Sequence, residues 1–566
     1  MSKNDQILLE EIIKQEMESI GEGDALPIDR FFEFYSASQI LKNYELSYEE
    51  VEGGITGEWL DGGADSIYLF VNGDLIKEDE NIKEKYKKNA DIEFAVIQSK
   101  YSNSFTEDVL LKFSRLSTNL FDLDFDRESF EGRYTDRVLN AFDLFRKTYV
   151  ALITKKPKLK IKFYYASKGI DVHPNVQKQA DDLKADVQRL LPDADVSVTF
   201  VGAAHLMRLT QERINNVFRV KVTENPMSST GQVFIALVNL VDFYNFITDD
   251  KGNMIKHIFE SNVRDYQGKT NVNTEIQETL EAAPVEEFWW LNNGVTITAS
   301  EASAPGGKEL VITNPEIVNG LQTSSEIFRY FSNNPDKSGD EKRNILIRVI
   351  VPESEETRDK IIRATNSQTP IPKASLRATD LIHRQIEDYM KPRGLYYDRR
   401  KNFYKNEGKK PKEIVSLPFL SQCLMSVLMQ KPDFARARPS TLLEDDNAYG
   451  KLYNKNHDLS MFYLISRLGK SVEACLKQES AYNSSEIADI KFYVLYATCA
   501  QLTSSIYPSH RSVSDLNEAQ IDEKLIQSTA VLVYDLYKEL GGNDKVAKGP
   551  ILSEKLKEKL RGMIGS

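Results

Sequence analysis

The 566-residue sequence has few of the residues that form disulfide frameworks or transition-metal sites. Its three cysteines, Cys423, Cys475 and Cys499, lie far apart, and its six histidines are scattered along the chain. Neither set has the short spacing that a zinc site or a disulfide-rich fold requires. We therefore expect buried, reduced thiols in a cytoplasmic protein.

Long apolar runs and an excess of positive charge are also missing. The longest apolar stretch, around Gly231–Phe246, is interrupted by polar residues and falls short of the ~20 apolar residues of a membrane span. The acidic, amphipathic N-terminal segment argues against a signal peptide, and we expect no membrane partner. A net charge of −12 counts against a protein that coats nucleic acid, yet it permits an enzyme that binds nucleic acid locally.

Strand-like and helix-like segments alternate in the first third of the chain. Strands are predicted at SIYLFVNG, DIEFAVIQSKYS, KLKIKFYYAS and DVSVTFVG, with amphipathic helices over 4–19, 31–46, 105–120 and 175–191. This alternation predicts an α/β sheet covered by helices. Helical periodicity dominates from about residue 416 onward. We predict a mixed α/β (α+β) chain with domains at residues 1–215, 216–415 and 416–566, the last of them helical.

The sharpest chemical pattern combines one aspartate with a short polar motif at a strand end. Asp65 lies in a glycine-rich turn before one predicted strand, and Gln98-Ser99-Lys100 ends the next. Because side chains alternate along a strand, Gln98 and Lys100 project to the same face. If the two strands are neighbours, Asp65 approaches both, and the three side chains form a candidate catalytic centre.

Such a centre suits phosphodiester hydrolysis. The Asp65 carboxylate and the Gln98 amide are oxygen donors of the kind that Mg²⁺, or alternatively Mn²⁺, prefers. A bound metal lowers the pKa of a water molecule, and Lys100 can stabilise charge on the phosphate. Asp61 either supports the site or only forms the turn. In the alternative interpretation, Asp65 caps a turn while Gln98 and Lys100 lie on an exposed edge strand.

DGGADSIYLF and FAVIQSKYSNSF together resemble the PD-(D/E)XK nuclease core in its Mrr-like QxK form. The resemblance implies a restriction-endonuclease-like α/β domain over residues 1–215. It also implies a Mg²⁺-dependent endonuclease with Asp65, Gln98 and Lys100 as catalytic residues, of which Asp65 and Gln98 hold the metal. A nuclease fold that has lost catalysis and kept DNA binding is the other possibility.

Four ordered blocks in the middle of the chain resemble the AIPR family, which is named for abortive phage resistance. The blocks are FESNVRDYQGKTNVNTEIQETL, FWWLNNGVTIT, PEIVNGLQTSSEIF and RATNSQTPIPKASLRATD, from about Phe259 to Asp380. The resemblance implies a central α+β AIPR domain and a role in anti-phage defence by abortive infection.

The central blocks collect side chains that form hydrogen bonds without acting as bases. Asn and Gln amides can contact base edges or a nucleotide, and Arg can bind phosphate. We assign possible nucleotide or nucleic-acid contacts to Arg264, Asn292, Asn293, Asn319, Gln322, Asn366 and Gln368. Alternatively, these amides only stabilise turns and strand ends.

A basic, aromatic stretch, Lys391–Lys412, stands out in this acidic chain. Arg399 and Arg400 could bind phosphates while the neighbouring tyrosines stack on bases. The stretch could equally be a solvated linker whose tyrosines are anchored in the core. Trp289-Trp290 is expected on a strand with one indole buried, and His257 and His383 are expected at the surface or as caps.

The leading hypothesis is a metal-dependent nuclease of anti-phage defence, regulated by the AIPR region. One alternative is a non-catalytic nucleotide- or DNA-binding sensor that recruits a partner effector, and another is a modification-dependent restriction enzyme. Nucleic acid is the expected partner, with DNA favoured over RNA. A nucleotide or phage-derived trigger and a homodimer are further expectations.

Overall fold

The chain divides into two compact units. The computed structural model describes residues 3–20, 27–44, 46–56, 60–78, 80–86, 90–211, 217–229, 232–249, 252–255, 257–259, 271–281, 286–366, 377, 380–437, 445–479 and 481–564. Unit 1 comprises residues 1–82, 90–211 and 380–566, and unit 2 comprises residues 83–89 and 212–379. Residues 380–415 therefore pack with unit 1. The three-domain division made from the sequence stays a prediction.

A five-stranded sheet forms the first part of unit 1, and it confirms the mixed α/β class. Its strands are β1 (Ser66–Val71), β2 (Asp74–Leu75), β3 (Asp91–Lys100), β4 (Lys158–Ser167) and β5 (Ala194–Val201). The order is β2-β1-β3-β4-β5. β3 pairs antiparallel with β1 and parallel with β4, so β3 is an interior strand.

Helices cover both faces of this sheet, because interior strands carry apolar side chains on both sides. The helices of this part are α1 (Lys3–Ile20), α2 (Ile28–Ile40), α3 (Tyr48–Gly53), α5 (Glu107–Leu120), α6 (Asp136–Leu152), α7 (Pro174–Leu190) and α8 (Ala203–Gln211). The short helix α4 (Ile82–Lys85) spans the boundary between the residues of the two units. On one face, Ala95 and Ile97 of β3 pack against α2 and α3. On the other, the Phe94 ring contacts Phe121 and Phe142 at centroid distances of 5.7 and 5.0 Å.

The C-terminal part of unit 1 is helical, as the periodicity predicts. After the short parallel pair β14 (Tyr396–Asp398) and β15 (Ile414–Ser416), only helices follow in the described residues. The helices after residue 380 are Leu381–Met390, Phe403–Asn406, Leu417–Leu428, Pro432–Ala437, Asp446–Leu452, Leu459–Gln478, Ser484–Leu502, His510–Ser514, Glu523–Glu539, Asp544–Lys548 and Pro550–Ile564. The three cysteines are free and buried in this part, as expected.

Ion pairs and hydrogen bonds join the two ends of the chain within unit 1. Lys477 pairs with Glu52 at 2.6 Å, and the Asn140 side-chain amide donates to Asp544 at 3.1 Å. Nearby, the partly buried Arg436 guanidinium donates to both Asp489 (3.0 Å) and Asp544 (2.8 Å). The C-terminal helices therefore pack with the N-terminal part of the chain in one unit.

Unit 2 contains a second mixed sheet, β12 (Glu316–Asn319), β9 (Val295–Thr298), β13 (Asn344–Ile350), β8 (Val233–Asn239) and β7 (Met227–Ser229), in that order. A smaller sheet has the order β10 (Glu301–Ser303), β11 (Glu309–Thr313) and β6 (Val217–Lys221). The helices are α9 (Leu240–Phe246), α10 (Asn271–Glu281), α11 (Leu321–Asn333) and α12 (Glu355–Asn366). One continuous apolar core connects both sheets with α9, α10 and α11.

Two local expectations are wrong. Trp289 and Trp290 lie in a 3-10 turn (Phe288–Trp290), so strand alternation does not apply, and Trp290 is 62% exposed. His383 is fully buried, with its ring nitrogens 2.8 Å from the Tyr397 hydroxyl and 2.9 Å from the Tyr449 hydroxyl. Partners distant in sequence let a buried histidine satisfy both nitrogens.

Among the described residues, no helix is both long enough and apolar enough to span a membrane.

We predict that Arg436→Ala strongly destabilises the protein. Its removal leaves the carboxylates of Asp489 and Asp544 without their common partner, which costs about 3–5 kcal/mol. Chemical denaturation should show this loss. The matched control is Arg467→Ala, which breaks an exposed pair with Glu518 and should cost less than about 1 kcal/mol. Equal losses in the two variants would contradict the structural role of Arg436.

Candidate active site

The pairing of β1 with β3 brings Asp65 to Gln98. Ser66 is in register with Ile97, so the residue before β1 lies opposite Gln98. Asp65 Oδ2 accepts hydrogen bonds from Gln98 Nε2 (2.5 Å) and from the Ser99 backbone N–H (2.6 Å). Asp65 is 5% exposed and Gln98 is 7% exposed. The alternative of an exposed edge strand is therefore wrong for Gln98.

A glycine turn makes this approach possible. Gly62 and Gly63 have φ of +68° and +85°, a region that disfavours other residues. A Cβ on Gly63 would lie only 3.2 Å from Gln98 Oε1 and 2.9 Å from Lys112 Cβ. The Gly63 N–H donates to Asp61 Oδ1 at 2.7 Å, so Asp61 forms the turn as aspartate often does.

Three carboxyl groups influence one another at this turn. Burial, with the nearby Glu33 and Asp61, raises the pKa of Asp65 well above its usual range, although the Ser99 donor opposes the shift. Burial also raises the pKa of Asp61. Burial and the Asp61 charge raise the pKa of Glu33, on α2, to about 8. The site therefore concentrates negative charge in a poorly solvated place.

Lys100 lies at the end of the same strand, two residues beyond Gln98. Its side chain is 35% exposed, and its Nζ donates to Asp108 Oδ2 of α5 at 2.7 Å. Burial raises the pKa of Asp108, but hydrogen bonds from Lys100 and Thr106 and the charges of Lys100 and Lys112 together outweigh it, and the net shift is downward. The structure thus places Asp65 and Gln98 in direct contact, and Lys100 lies at the more exposed end of the same strand.

The donor types at this centre fit a hard divalent cation. Asp65, Asp61 and Glu33 offer carboxylate oxygens and Gln98 an amide oxygen, the ligands that Mg²⁺ prefers. A cation would also offset the negative charge that, with burial, raises the pKa values of Asp65 and Glu33. However, the described residues contain no group of three or more His, Cys, Asp or Glu side chains arranged to hold a metal ion. In this conformation Gln98 also turns its amide nitrogen, not its oxygen, toward Asp65.

Glu33 and Lys112 were missed by the sequence analysis. Glu33 comes from α2, some thirty residues before the turn, and Lys112 comes from α5, where its charge lowers the pKa of Asp61. A single glutamate or lysine on an amphipathic helix carries no local signal for a site. Only the packing of α2 and α5 around the turn reveals them.

Among the described central amides, Asn292 and Asn319 bond different carbonyl groups. Asn292 Nδ2 donates to the Phe288 carbonyl (3.4 Å), Asn293 is exposed, and Asn319 Nδ2 donates to the Thr365 carbonyl (2.5 Å). The Asn292 bond is local, as the turn-stabilising alternative predicts, whereas the Asn319 bond joins the end of β12 to α12. Gln322 lies in the first turn of α11. Arg264, Gln368, the side chain of Asn366 and the side chain of His257 lie outside the described residues.

The basic stretch is partly anchored in the core. Arg399 is buried, and its Nε donates to Glu387 Oε2 at 2.5 Å. Tyr397 and Tyr404 are buried as well. Arg400 stacks on the Phe403 ring at 3.7 Å from its centroid. The packing favours the anchored-linker interpretation for Arg399 and both tyrosines.

The fold and this site define a mixed α/β protein with a buried carboxylate–amide centre beside a lysine. The family model described as AIPR protein matches residues 259–539, and this match supports the AIPR family for the chain. The family suggests a role in abortive infection and phage defence. No curated protein and no solved structure gives a significant match to the chain.

We predict that the protein loses stability between about pH 5 and pH 8 in EDTA. A carboxyl group whose pKa is raised on folding holds its proton longer in the folded state, so stability falls as the pH rises from its ordinary value of 4.5 to about 8. Glu33→Gln removes one such group and should make the decline shallower. Thermal denaturation across this pH range measures the decline in stability of both proteins.

The control variant, Glu554→Gln, changes an exposed glutamate of the last helix. It should leave the pH dependence as in the wild type. A Glu33→Gln curve parallel to the wild-type curve would show that Glu33 does not titrate as described.

Proposed function

We propose that this protein is a metal-dependent nuclease that acts in anti-phage defence. The observation that carries the proposal is the bonded pair of Asp65 and Gln98 on neighbouring strands, with Lys100 at the strand end. DNA is the favoured substrate, and phosphodiester hydrolysis is the reaction that this combination of groups suits. The AIPR match supports the defence role.

Each residue has a distinct part in the proposed chemistry. Asp65 and Gln98 would hold Mg²⁺ or Mn²⁺, with Asp61 as support. The bound metal supplies charge neutralisation at the phosphate and a lower pKa for a water molecule. Lys100 would donate to the phosphate oxygens as charge develops on them. Because Asp65 is almost fully buried, its charge acts in a place where solvent screens it little.

The Lys100–Asp108 ion pair holds the lysine ammonium group at the end of β3 by a weak interaction. Both partners are substantially exposed, and such pairs contribute less than about 1 kcal/mol. A substrate phosphate can therefore replace Asp108 as the partner of Lys100 at little cost. The pair positions the ammonium group before substrate binds.

A connection within unit 1 supports regulation by the AIPR-matching region. Arg137 of α6 donates to the carbonyls of Ile55 and of Ser484, the latter at 3.1 Å. The residue after Ile55, Thr56, donates its N–H to the Asp65 carbonyl at 3.0 Å. Ser484 begins a helix inside the matched residues 259–539. Arg137 therefore links that helix to the segment that holds Asp65.

A non-catalytic nucleotide- or DNA-binding sensor is the second candidate. It is favoured by the two glycine turns that meet in unit 2, Asn292–Gly294 and Asn319–Gly320. Gly294 and Gly320 have φ of +73° and +106°, and a Cβ on Gly320 would lie 3.2 Å from the Gly294 carbonyl oxygen. Glycine permits this close packing, and it equally permits the close approach of backbone to a ligand.

We predict that purified protein cleaves DNA with Mg²⁺ or Mn²⁺ and that EDTA stops cleavage. Asp65→Asn and Lys100→Ala should each reduce the rate by at least about a hundredfold, since each removes a charge that acts on the transition state. Plasmid, single-stranded DNA and RNA are tested in parallel.

Lys184→Ala is the matched control for Lys100→Ala, because Lys184 is a similarly exposed lysine paired with Asp181 on α7. It should cleave like the wild type. Metal-dependent cleavage that survives in both site variants would place the active centre elsewhere. If wild-type protein stays inert on every substrate, even with extract of infected cells, the sensor function is favoured instead.

We predict that Arg137→Lys loosens the segment that holds Asp65. Lysine keeps the charge but lacks the planar fork that reaches two carbonyl groups at once. Amide hydrogen exchange at Thr56 should become faster, and any cleavage should slow while the protein stays folded. Arg189→Lys, at an exposed pair with Asp186, is the control. Unchanged exchange at Thr56 would contradict the link whether or not the protein is a nuclease.

A further inference from the structure

The larger sheet of unit 2 has an apolar face and a polar face. Val295, Ile297 and Ile347 belong to the buried core. Because side chains alternate along a strand, Thr296 and Thr298 of β9 and Arg348 of β13 project from the opposite face. In the strand register, Thr296 lies directly beside Arg348. These three residues are named the Arg348 cluster.

The polar atoms of the Arg348 cluster are buried and unsatisfied. Thr296 is 1% exposed and Thr298 is 2% exposed, and neither hydroxyl has a hydrogen-bond partner in the described part of the chain. The buried Nε of Arg348 also lacks one there. Native proteins satisfy nearly all such atoms. Three of them on neighbouring positions of one face point to a ligand that accepts their hydrogen bonds.

Neighbouring charged groups are already used within the fold. Glu316, in register with Thr298, is bonded to Arg358. Arg343, just before the same strand as Arg348, donates to Glu341 and to the carbonyls of Thr279 and Leu280. Arg348 therefore differs from both arginines near it, since its Nε has no acceptor.

We propose that the Arg348 cluster binds the phosphate group of a small phosphorylated molecule such as a mononucleotide. A guanidinium offers only donors, threonine hydroxyls can donate, and a phosphate offers only acceptors, so the sets are complementary. Arg348 is half-buried and provides the approach from solvent. The near-complete burial of both threonines favours a compact phosphate over the backbone of a nucleic-acid duplex. This site is separate from Asp65 and does not depend on nuclease activity.

The test measures binding of ATP and of inorganic phosphate to the full chain by isothermal titration calorimetry. Wild-type protein should bind ATP, and Arg348→Gln and Thr296→Val should each weaken binding by about tenfold or more, because each removes a donor to a charged group. Binding of inorganic phosphate that both variants weaken equally would identify the phosphate group alone as the recognised element. Arg219→Gln, at an exposed pair with Glu309 in the same unit, should bind like the wild type.

Two outcomes would overturn the proposal. One is that wild-type protein binds neither probe, or that the variants bind as tightly as the wild type. The other is a fall of several degrees in the melting temperature of Thr296→Val without ligand, because that would show that the hydroxyl has a partner within the fold. The proposal expects this melting temperature to be unchanged or higher, since the variant removes a buried, unsatisfied group.

Discussion

The candidate centre depends on the hydrogen bonds that the buried Asp65 carboxylate accepts from Gln98 and Ser99. This carboxylate lies at a sheet interior with two donors on one oxygen and two other carboxyl groups nearby. A carboxylate in such a place is costly unless donors or a cation compensate it. The glycine turn, the antiparallel register of β1 and β3 and the Thr56 bond all serve to hold this one group. Loss of any of them would move Asp65 relative to Gln98.

A second constraint joins the centre to the far end of the chain. The helices after residue 416 do not form a detached appendage, because Arg137, Asn140 and Glu52 bond residues beyond 476. The AIPR match at residues 259–539 thus includes helices that pack in the same unit as Asp65. A change in those helices can reach the centre through these direct, partly buried contacts, which gives the proposed regulation a physical route.

Local patterns in the sequence predicted much of the fold and the pair at the centre. Strands such as β3 and β4 are apolar runs bounded by polar residues, and Gln98 is close enough in sequence to Asp65 for neighbouring strands to unite them. Glu33 could not be predicted, because it reaches the turn only through helix packing. The prediction that His383 lies at the surface or acts as a cap failed for the same reason, because its partners Tyr397 and Tyr449 come from other elements. No local pattern indicates that Arg399 is buried, because its hydrogen-bond partner Glu387 lies on the preceding helix.

The charge distribution at the centre favours a functional explanation over a structural one. A fold stabilised for its own sake would not gather Glu33, Asp61 and Asp65 at one turn. Burial raises the pKa values of all three, and repulsion between carboxyl groups adds to the shifts of Glu33 and Asp65. Elsewhere in the described chain, buried acids such as Asp489 and Glu387 face an arginine. Groups whose pKa values are perturbed by burial and by neighbouring charges concentrate at active sites. The proposed divalent cation fits this environment, because carboxylate and amide oxygens are the donors that it prefers and its charge would offset the concentrated negative charge.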